Sequence, residues 1–468
     1  MQGAKGRYLA LGFLLLAAGA RSYAIEKNTY SEPSPGSPLQ PINAPTPATF
    51  SDNSKQWILN FSGFIESDLF YDTTRSLIES IGDSPVDRPS TVAGSNGRTQ
   101  LSIRNSRMAF GLDAPVFEGW KSRAYFENDF LGFVPAPGAG VTEAQFFSNP
   151  TFRMRHGYFQ AVKNDFTILV GQTWSLLGWQ PFYFLSSVEV QPVSAMLYTR
   201  IAQIRALKIF KLNSDFQIQT AVAVQRPPQR DSALPDLHAG VRFVYNGRKS
   251  GLTRGSSGPL QPEPMSLGLS AAFREYEIPA AGPTAPVMVN FPGYAYAINV
   301  MLPVIAAKSS TDSGNTLTLA AEYTSGRGNG DQYLGWTGNL SSSVATGGSQ
   351  PSQQLNLDGN IGSYDSKGNF SLINLSSFNL QLQYHLPTEY ATWFTAGLGQ
   401  LYSNNMLGRV PAAGLVPYNR EQVAFFNVAH SFTDHIRVGV EYSFLRTTYI
   451  DGDFASNNRY QLTTLFVF

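Results

Sequence analysis

Residues Tyr460-Gln-Leu-Thr-Thr-Leu-Phe-Val-Phe468 close the chain. In an extended strand, successive side chains point to opposite faces. Tyr460, Leu462, Thr464, Phe466 and Phe468 then share one face, and Arg459, Gln461, Thr463 and Leu465 share the other. The first face is mostly apolar and aromatic; the second is mostly polar. A strand of a transmembrane β-barrel needs this pairing, because one side meets lipid and the other meets water. A terminal strand of a soluble sheet would also alternate, so the rest of the chain must decide.

The same alternation recurs upstream. In 119–130, Trp120, Ser122, Ala124, Phe126 and Phe130 oppose Lys121, Arg123, Tyr125, Glu127 and Asp129. In 434–447, Ile436, Val438, Val440, Tyr442 and Phe444 oppose Arg437, Gly439, Glu441 and Ser443. Sixteen segments have strand character: 57–71, 99–112, 119–130, 151–162, 165–174, 199–210, 214–226, 235–246, 264–276, 291–304, 314–325, 374–386, 390–403, 420–432, 434–447 and 457–468. Several connections are short, such as Lys163-Asn164 and Leu212-Asn213, while 72–98, 131–150, 175–198, 277–290, 326–373 and 404–419 are long. Short turns at one end and long loops at the other are the outer-membrane arrangement, with the short turns periplasmic. One connection breaks the rule: 247–263 should be a short turn and runs to 17 residues. It is either a true periplasmic loop or a slip in the strand count.

The expected fold is therefore all-β: a transmembrane antiparallel β-barrel of about sixteen strands with long extracellular loops. A polar face carrying several charges per strand needs a wet interior. Sixteen strands leave an aqueous channel, whereas eight would be filled by side chains.

The amino terminus points to export. Lys5 and Arg7 precede an apolar run from Tyr8 to Ala18, and Ser22-Tyr23-Ala24 offers small residues for cleavage after Ala24. Eleven residues are too few for a membrane-spanning helix, which needs about 20; they suit a signal peptide. The expected organisation is 1–24 signal peptide, 25–55 Pro-rich periplasmic arm, and 56–468 outer-membrane barrel. Losing Lys5, Arg7 and Arg21 takes the 34 basic residues to 31 against 33 acidic ones, a net charge near −2. That balance excludes the strong basic bias of a nucleic-acid partner. The chain has no Cys, hence no disulfide framework, thiol nucleophile or thiolate metal site. The 42 Gly, 22 Tyr and 32 Phe suit a barrel with interfacial aromatic girdles.

The residues that carry chemistry are basic. Arg104 and Arg107 share one strand, and strict alternation would put them on opposite faces. An Arg facing mid-membrane lipid costs about 2–4 kcal/mol, so a β-bulge near Asn105-Ser106 that turns both inward is expected. Lys121 and Arg123, then Arg153 and Arg155, then Arg242 with His238, extend the set. Arg200 and Arg205 fall on opposite faces, so one of them at most is secure. Glu127, Asp129, Glu322 and Glu441 also face inward. Inward guanidiniums attract anions and bind carboxylates in a bidentate fashion. The competing reading is that these Args pair with Glu127 and Asp129 only to hold the wall. The 175–198 loop is unusually apolar; Trp179, Phe182 and Tyr183 either fold inward as a constriction or pack at a subunit interface.

The runs Leu101-Ser-Ile-Arg-Asn-Ser-Arg-Met-Ala-Phe110, Tyr125-Phe-Glu-Asn-Asp-Phe130, Phe152-Arg-Met-Arg-His-Gly-Tyr158 and Leu169-Val-Gly-Gln-Thr-Trp-Ser175 resemble the DcaP-like family of outer-membrane porins. The resemblance is strongest over 57–210. It implies a homotrimer of sixteen-stranded barrels in the outer membrane and a channel for small, negatively charged organic solutes. Arg104, Arg107, Arg123, Arg153 and Arg155 would line the pore. The Pro-rich segment stands where members of that family often carry a coiled-coil extension. The closing strand ending at Phe468 resembles the signal read by the barrel assembly machinery, and lipid and lipopolysaccharide would surround the barrel.

Other functions fit less well. Catalysis would need a Ser/His/Asp constellation, and of the five His, His238 would meet a Ser only by coincidence of the fold. His156 lies on the apolar face of Met154 by strict alternation. A cofactor or metal is not expected. The 326–373 loop reads as flexible and exposed, which leaves a surface adhesin as a remote alternative. A sugar-type or general porin is the closer rival, but it would need a row of inward aromatic residues, and only Tyr125 is clearly so placed.

Overall fold

A computed structural model describes residues 57–77, 85–132, 151–180, 195–229, 232, 234–253, 260–279, 288–309, 312, 314–333, 335–341 and 357–468. The leader, the Pro-rich arm, Phe182 and Tyr183 lie outside the described residues.

The strands run β1 (Ile58–Asp72), β2 (Arg98–Ser102), β3 (Arg107–Asp113), β4 (Lys121–Asp129), β5 (Arg153–Lys163), β6 (Phe166–Trp174), β7 (Arg200–Lys211), β8 (Phe216–Gln225), β9 (Asp236–Thr253) and β10 (Leu260–Pro279). They continue with β11 (Met288–Ile305), β12 (Thr316–Arg327), β13 (Gly362–Tyr364), β14 (Phe370–Leu372), β15 (Asn374–His385), β16 (Thr392–Ser403), β17 (Tyr418–Ser431), β18 (Ile436–Tyr449) and β19 (Phe454–Val467). All but β13 and β14 form one antiparallel sheet, and β19 pairs back onto β1 to close it. Both β2 and β3 pair with β1, so they are two halves of one interrupted strand. Counted that way, the barrel has the sixteen antiparallel strands expected.

The closing stretch behaves as its alternation predicts. Asn457, Arg459, Gln461, Thr463 and Leu465 are buried inside, while Phe454, Leu462, Phe466 and Phe468 are exposed outside. Leu59, Phe61, Ile65 and Leu69 of β1 continue that outer belt. Exposed Phe and Leu on every second position are costly in water and favourable in hydrocarbon, which is the outer surface a bilayer requires.

Of the two readings left open for 247–263, a slip in the count is ruled out: the connection is real, and its described residues extend the strands on either side. β9 and β10 continue their ladder to Thr253↔Leu260, with a register shift between Pro264 and Met265. The hairpin bends toward the neighbouring wall, where Arg248 Nε donates to the Pro303 carbonyl at 2.5 Å and Ala307 N donates to the Lys249 carbonyl at 2.8 Å. The described parts of the connection after β12 pack on the barrel, which corrects the expectation of an exposed loop for those residues. Leu357, Ile361, Tyr364 and Leu372 pack on Tyr276 and Ile278 of β10, and Trp336 packs edge-on against Tyr418 at 4.7 Å.

Candidate functional site

The interruption between β2 and β3 occupies residues 103–106 and gives up the ladder for a turn in which Ser106 N donates to the Ile103 carbonyl. It turns Arg107 inward, 2% exposed, beside the Phe64 ring. Arg107 Nη2 donates to Asn105 Oδ1 at 3.1 Å. Arg104 takes another course. It is half-buried and its guanidinium caps the end of β4, donating to the carbonyls of Phe130 at 3.1 Å and Gly132 at 3.0 Å.

The inner face of β4 holds Lys121, Arg123, Tyr125, Glu127 and Asp129 in sequence. Arg123 forks onto Asp113 with 2.5 and 2.6 Å bonds. A second irregularity pairs Glu127 with His156 and Asn128 with Met154, leaving Arg155 as the extra residue. Arg155 then reaches Glu127 at 2.6 Å and Asp129 at 3.1 Å, while Arg153 forks onto Asp129 at 2.9 and 2.5 Å. The same bulge corrects the expectation for His156. It turns inward, 1% exposed, with Nδ1 3.0 Å from Thr173 Oγ1. Strict alternation could not show this, because one inserted residue flips every residue beyond it.

On β7, Arg205 is inward and buried, whereas Arg200 lies between the Trp174 and Tyr198 rings at the loop end of the strand. Arg242 on β9 is 2% exposed and donates to Ser266 Oγ at 3.0 Å. Several inward charges were not singled out from sequence. Arg274 joins Asp236 to Asp331, at 2.9 and 2.5 Å, and so ties an extracellular loop to the wall. Arg459 pairs with Asp72, and Glu66 accepts from Asn105 at 2.9 Å. The alternation of β1 carried the signal for Glu66, Asp68 and Asp72.

Charge is divided around the wall. Among the described buried residues, β3 to β10 carry Arg107, Arg123, Arg155, Arg205, Arg242 and Arg274 against Asp113, Glu127, Asp129 and Asp236. The arc from β11 through β19 to β1 carries Glu66, Asp68, Asp72, Glu322, Glu421 and Glu441 against Arg459. Among these buried residues the first arc holds two more arginines than carboxylates, and the facing arc holds five more carboxylates than arginines.

The described ends of the 175–198 loop run against the inner wall. Trp179 is 2% exposed, and its Nε1 donates to the Leu269 carbonyl at 2.9 Å. It clusters with Leu176 and with inward Leu207, Ile209, Ala221, Ala223, Met301 and Ala320. Gly240 makes room for it, since a Cβ there would lie 2.9 Å from the indole. Gly178, at φ +75°, turns the limb in the left-handed region, and its N–H donates to Ser270 Oγ at 2.8 Å. The returning limb reaches across, with Leu197 N donating to Glu322 Oε1 at 3.2 Å. Glu322 also accepts from Asn299 at 2.7 Å. The small inner residues of β8 to β12 were the sequence signal for this docking.

Ser175 and His238 do meet, with Oγ 3.5 Å from Nδ1, but Ser175 Oγ also lies 3.2 Å from its acceptor Gln225 Oε1. That is no activated nucleophile, whose hydroxyl would be held by the imidazole. No group of three or more His, Cys, Asp or Glu able to hold a metal is present among the described residues.

No family model matches the chain, and no curated protein matches it. Solved structures do. The outer-membrane channel DcaP of Acinetobacter baumannii superposes with a TM-score of 0.58 at 18% identity, over 90% of this chain and 99% of that one. The trimer form of OmpT of Vibrio cholerae gives 0.46 at 10% identity, over 88% and 99%. An anion-selective porin from Comamonas acidovorans gives 0.47 at 8% identity, over 88% and 100%. The chain has a DcaP-like porin fold, the closed barrel of a bacterial outer-membrane protein.

Proposed function

We propose that this protein is a passive outer-membrane channel for small hydrophilic solutes and that it prefers anions. The observation that carries the preference is the positive arc of β3 to β10, where six buried guanidiniums outnumber four buried carboxylates. Arg153 and Lys121 add to that arc from half-buried positions. A solute passing the Trp179 limb would run along this arc, with Arg107, Arg123, Arg153, Arg155 and Arg242 guiding it and Glu127 and Asp129 fixing their geometry. Fixed positive charge in a narrow, partly dehydrated passage raises the local concentration of anions. The apolar limb at Trp179, continued by Phe182 and Tyr183, would narrow the passage. Residues 1–24 as a leader, 25–55 as a periplasmic arm, and assembly as a homotrimer belong to the same reading, as does Phe468 as the residue read by the assembly machinery.

The ion pairs favour a second reading. Arg123 on Asp113, and Arg153 and Arg155 on Glu127 and Asp129, partly cancel the field, and full cancellation would make a general pore. Liposome swelling separates the two. The proposal expects faster swelling in gluconate than in sorbitol, a neutral solute of similar size. Equal rates would leave the general pore, and no swelling in either would remove the channel.

A further inference from the structure

The β9–β10 hairpin runs past its neighbours and turns back inside the barrel. Tyr245 pairs with Met265 and Lys249 pairs with Pro264, so Asn246, Gly247 and Arg248 have no opposite residues on β10. Extra residues on one strand bend it. The bend carries the hairpin across the periplasmic end of β11, where Arg248 donates to the carbonyls of Pro303 and Val304 and Ala307 N donates to the Lys249 carbonyl. The hairpin then meets β12. The Gly251 carbonyl accepts from Thr318 Oγ1 at 3.3 Å and from Thr316 Oγ1 at 3.4 Å.

The face of β12 that it meets is the inner one. Thr316, Thr318, Ala320, Glu322 and Thr324 are the buried alternate positions, while Tyr323 is exposed on the outside. Ala320 packs with Trp179, Glu322 accepts from Leu197 N, and Thr324 Oγ1 bonds the Tyr333 hydroxyl. Thr318 and Ala320 stand about 7 Å apart along the strand, so the hairpin and the inward loop are seated on consecutive inner rows. Thr316, Thr318 and Ser250 are all 0% exposed, and Ser250 Oγ ties the two limbs of the hairpin by donating to the Glu263 carbonyl at 3.2 Å. From Thr316 to Thr324, the inner face of β12 is covered by other parts of the chain, with the hairpin at its periplasmic end. Joining β9 to β10 takes only a two-residue turn, so the added length and its anchors serve something else.

We infer that the β9–β10 hairpin is a sill inside the periplasmic mouth and that, in series with the Trp179 limb, it sets the largest solute the channel passes. The inference rests on the channel reading and adds a second size-determining element to it. The two backbones of such a ribbon lie about 5 Å apart before side chains are added. Laid inside the wall, the ribbon takes at least that width from the passage.

The test replaces residues 246–264 by Asn-Gly, a two-residue turn between the register partners Tyr245 and Met265. Liposome swelling is compared in stachyose, a tetrasaccharide, and in arabinose, a pentose. The shortened chain should raise the stachyose-to-arabinose ratio several-fold over the parent's and raise single-channel conductance in potassium chloride. An unchanged ratio overturns the sill and leaves the channel standing. If the shortened chain does not assemble, Thr316→Val combined with Thr318→Val takes its place, since it removes the donors to Gly251. Its ratio and its conductance noise should rise; parent-like values overturn the sill. No arabinose swelling in the parent overturns the channel reading and the sill with it.

Discussion

Arg459 forks onto Asp72 with two hydrogen bonds of 2.9 Å, across the seam where the last strand meets the first. Both side chains are fully buried, and Asn457 Nδ2 donates to the same carboxylate at 2.8 Å. The seam is the one place where the chain's two ends must find each other, and the register Asp72↔Arg459 fixes that pairing by charge. A one-residue slip would turn Arg459 to the lipid side.

Asp72→Ala should therefore weaken closure. Removing one member of a buried pair leaves the other uncompensated, at about 3–5 kcal/mol. The heat-modifiable band on a gel should unfold at markedly lower temperature than the parent's. A parent-like transition would show that other seam contacts dominate.

Phe468 makes the seam's last pair, with its N–H donating to the Gly63 carbonyl at 3.0 Å and its carbonyl accepting from Gly63 N at 2.9 Å. Its ring lies 5.5 Å from that of Phe61. Deleting Phe468 removes both bonds and the terminal aromatic. Folded, membrane-inserted protein should fall several-fold at equal expression; an unchanged yield would mean the ending is dispensable.

The closing strand was legible because nothing interrupts its alternation, and Arg459 to Phe468 sit as a period of 2 requires. The interruption before Arg107 could be foreseen, since two Args three residues apart cannot both avoid lipid without one. The bulge at Arg155 could not, because Met154, Arg155 and His156 give no such contradiction until Glu127 is placed opposite them. Arg104 shows the limit of the same argument: a long side chain can leave the lipid by reaching along the strand end to backbone carbonyls. The hairpin beyond Tyr245 was hidden by Pro262 and Pro264, residues that usually mark the end of a strand and here accompany a register shift.

Asp129 is shared by Arg153 and Arg155 and also accepts from Leu131 N at 3.1 Å. Asp129→Asn should leave assembly intact while removing one negative charge from the positive arc. Zero-current potentials in a potassium chloride gradient should move further toward the chloride limit. No movement would place these side chains outside the path of permeating ions.

Trp179 anchors the inward limb through its bond to Leu269 and its fit over Gly240. Trp179→Ala should remove about 3–5 kcal/mol of packing from that limb. Single-channel conductance should rise and become noisier. A conductance equal to the parent's would mean that the limb does not bound the passage.

The zero-current potential of the purified protein in a planar bilayer, under a potassium chloride gradient, tests the central claim most directly. A channel whose permeating ions follow the arginine arc of β3 to β10 predicts stepwise conductance and a potential of the sign that marks chloride as the more permeant ion. A potential near zero or of cation-selective sign would contradict it, and would mean that the carboxylates facing the arginine arc set the selectivity instead.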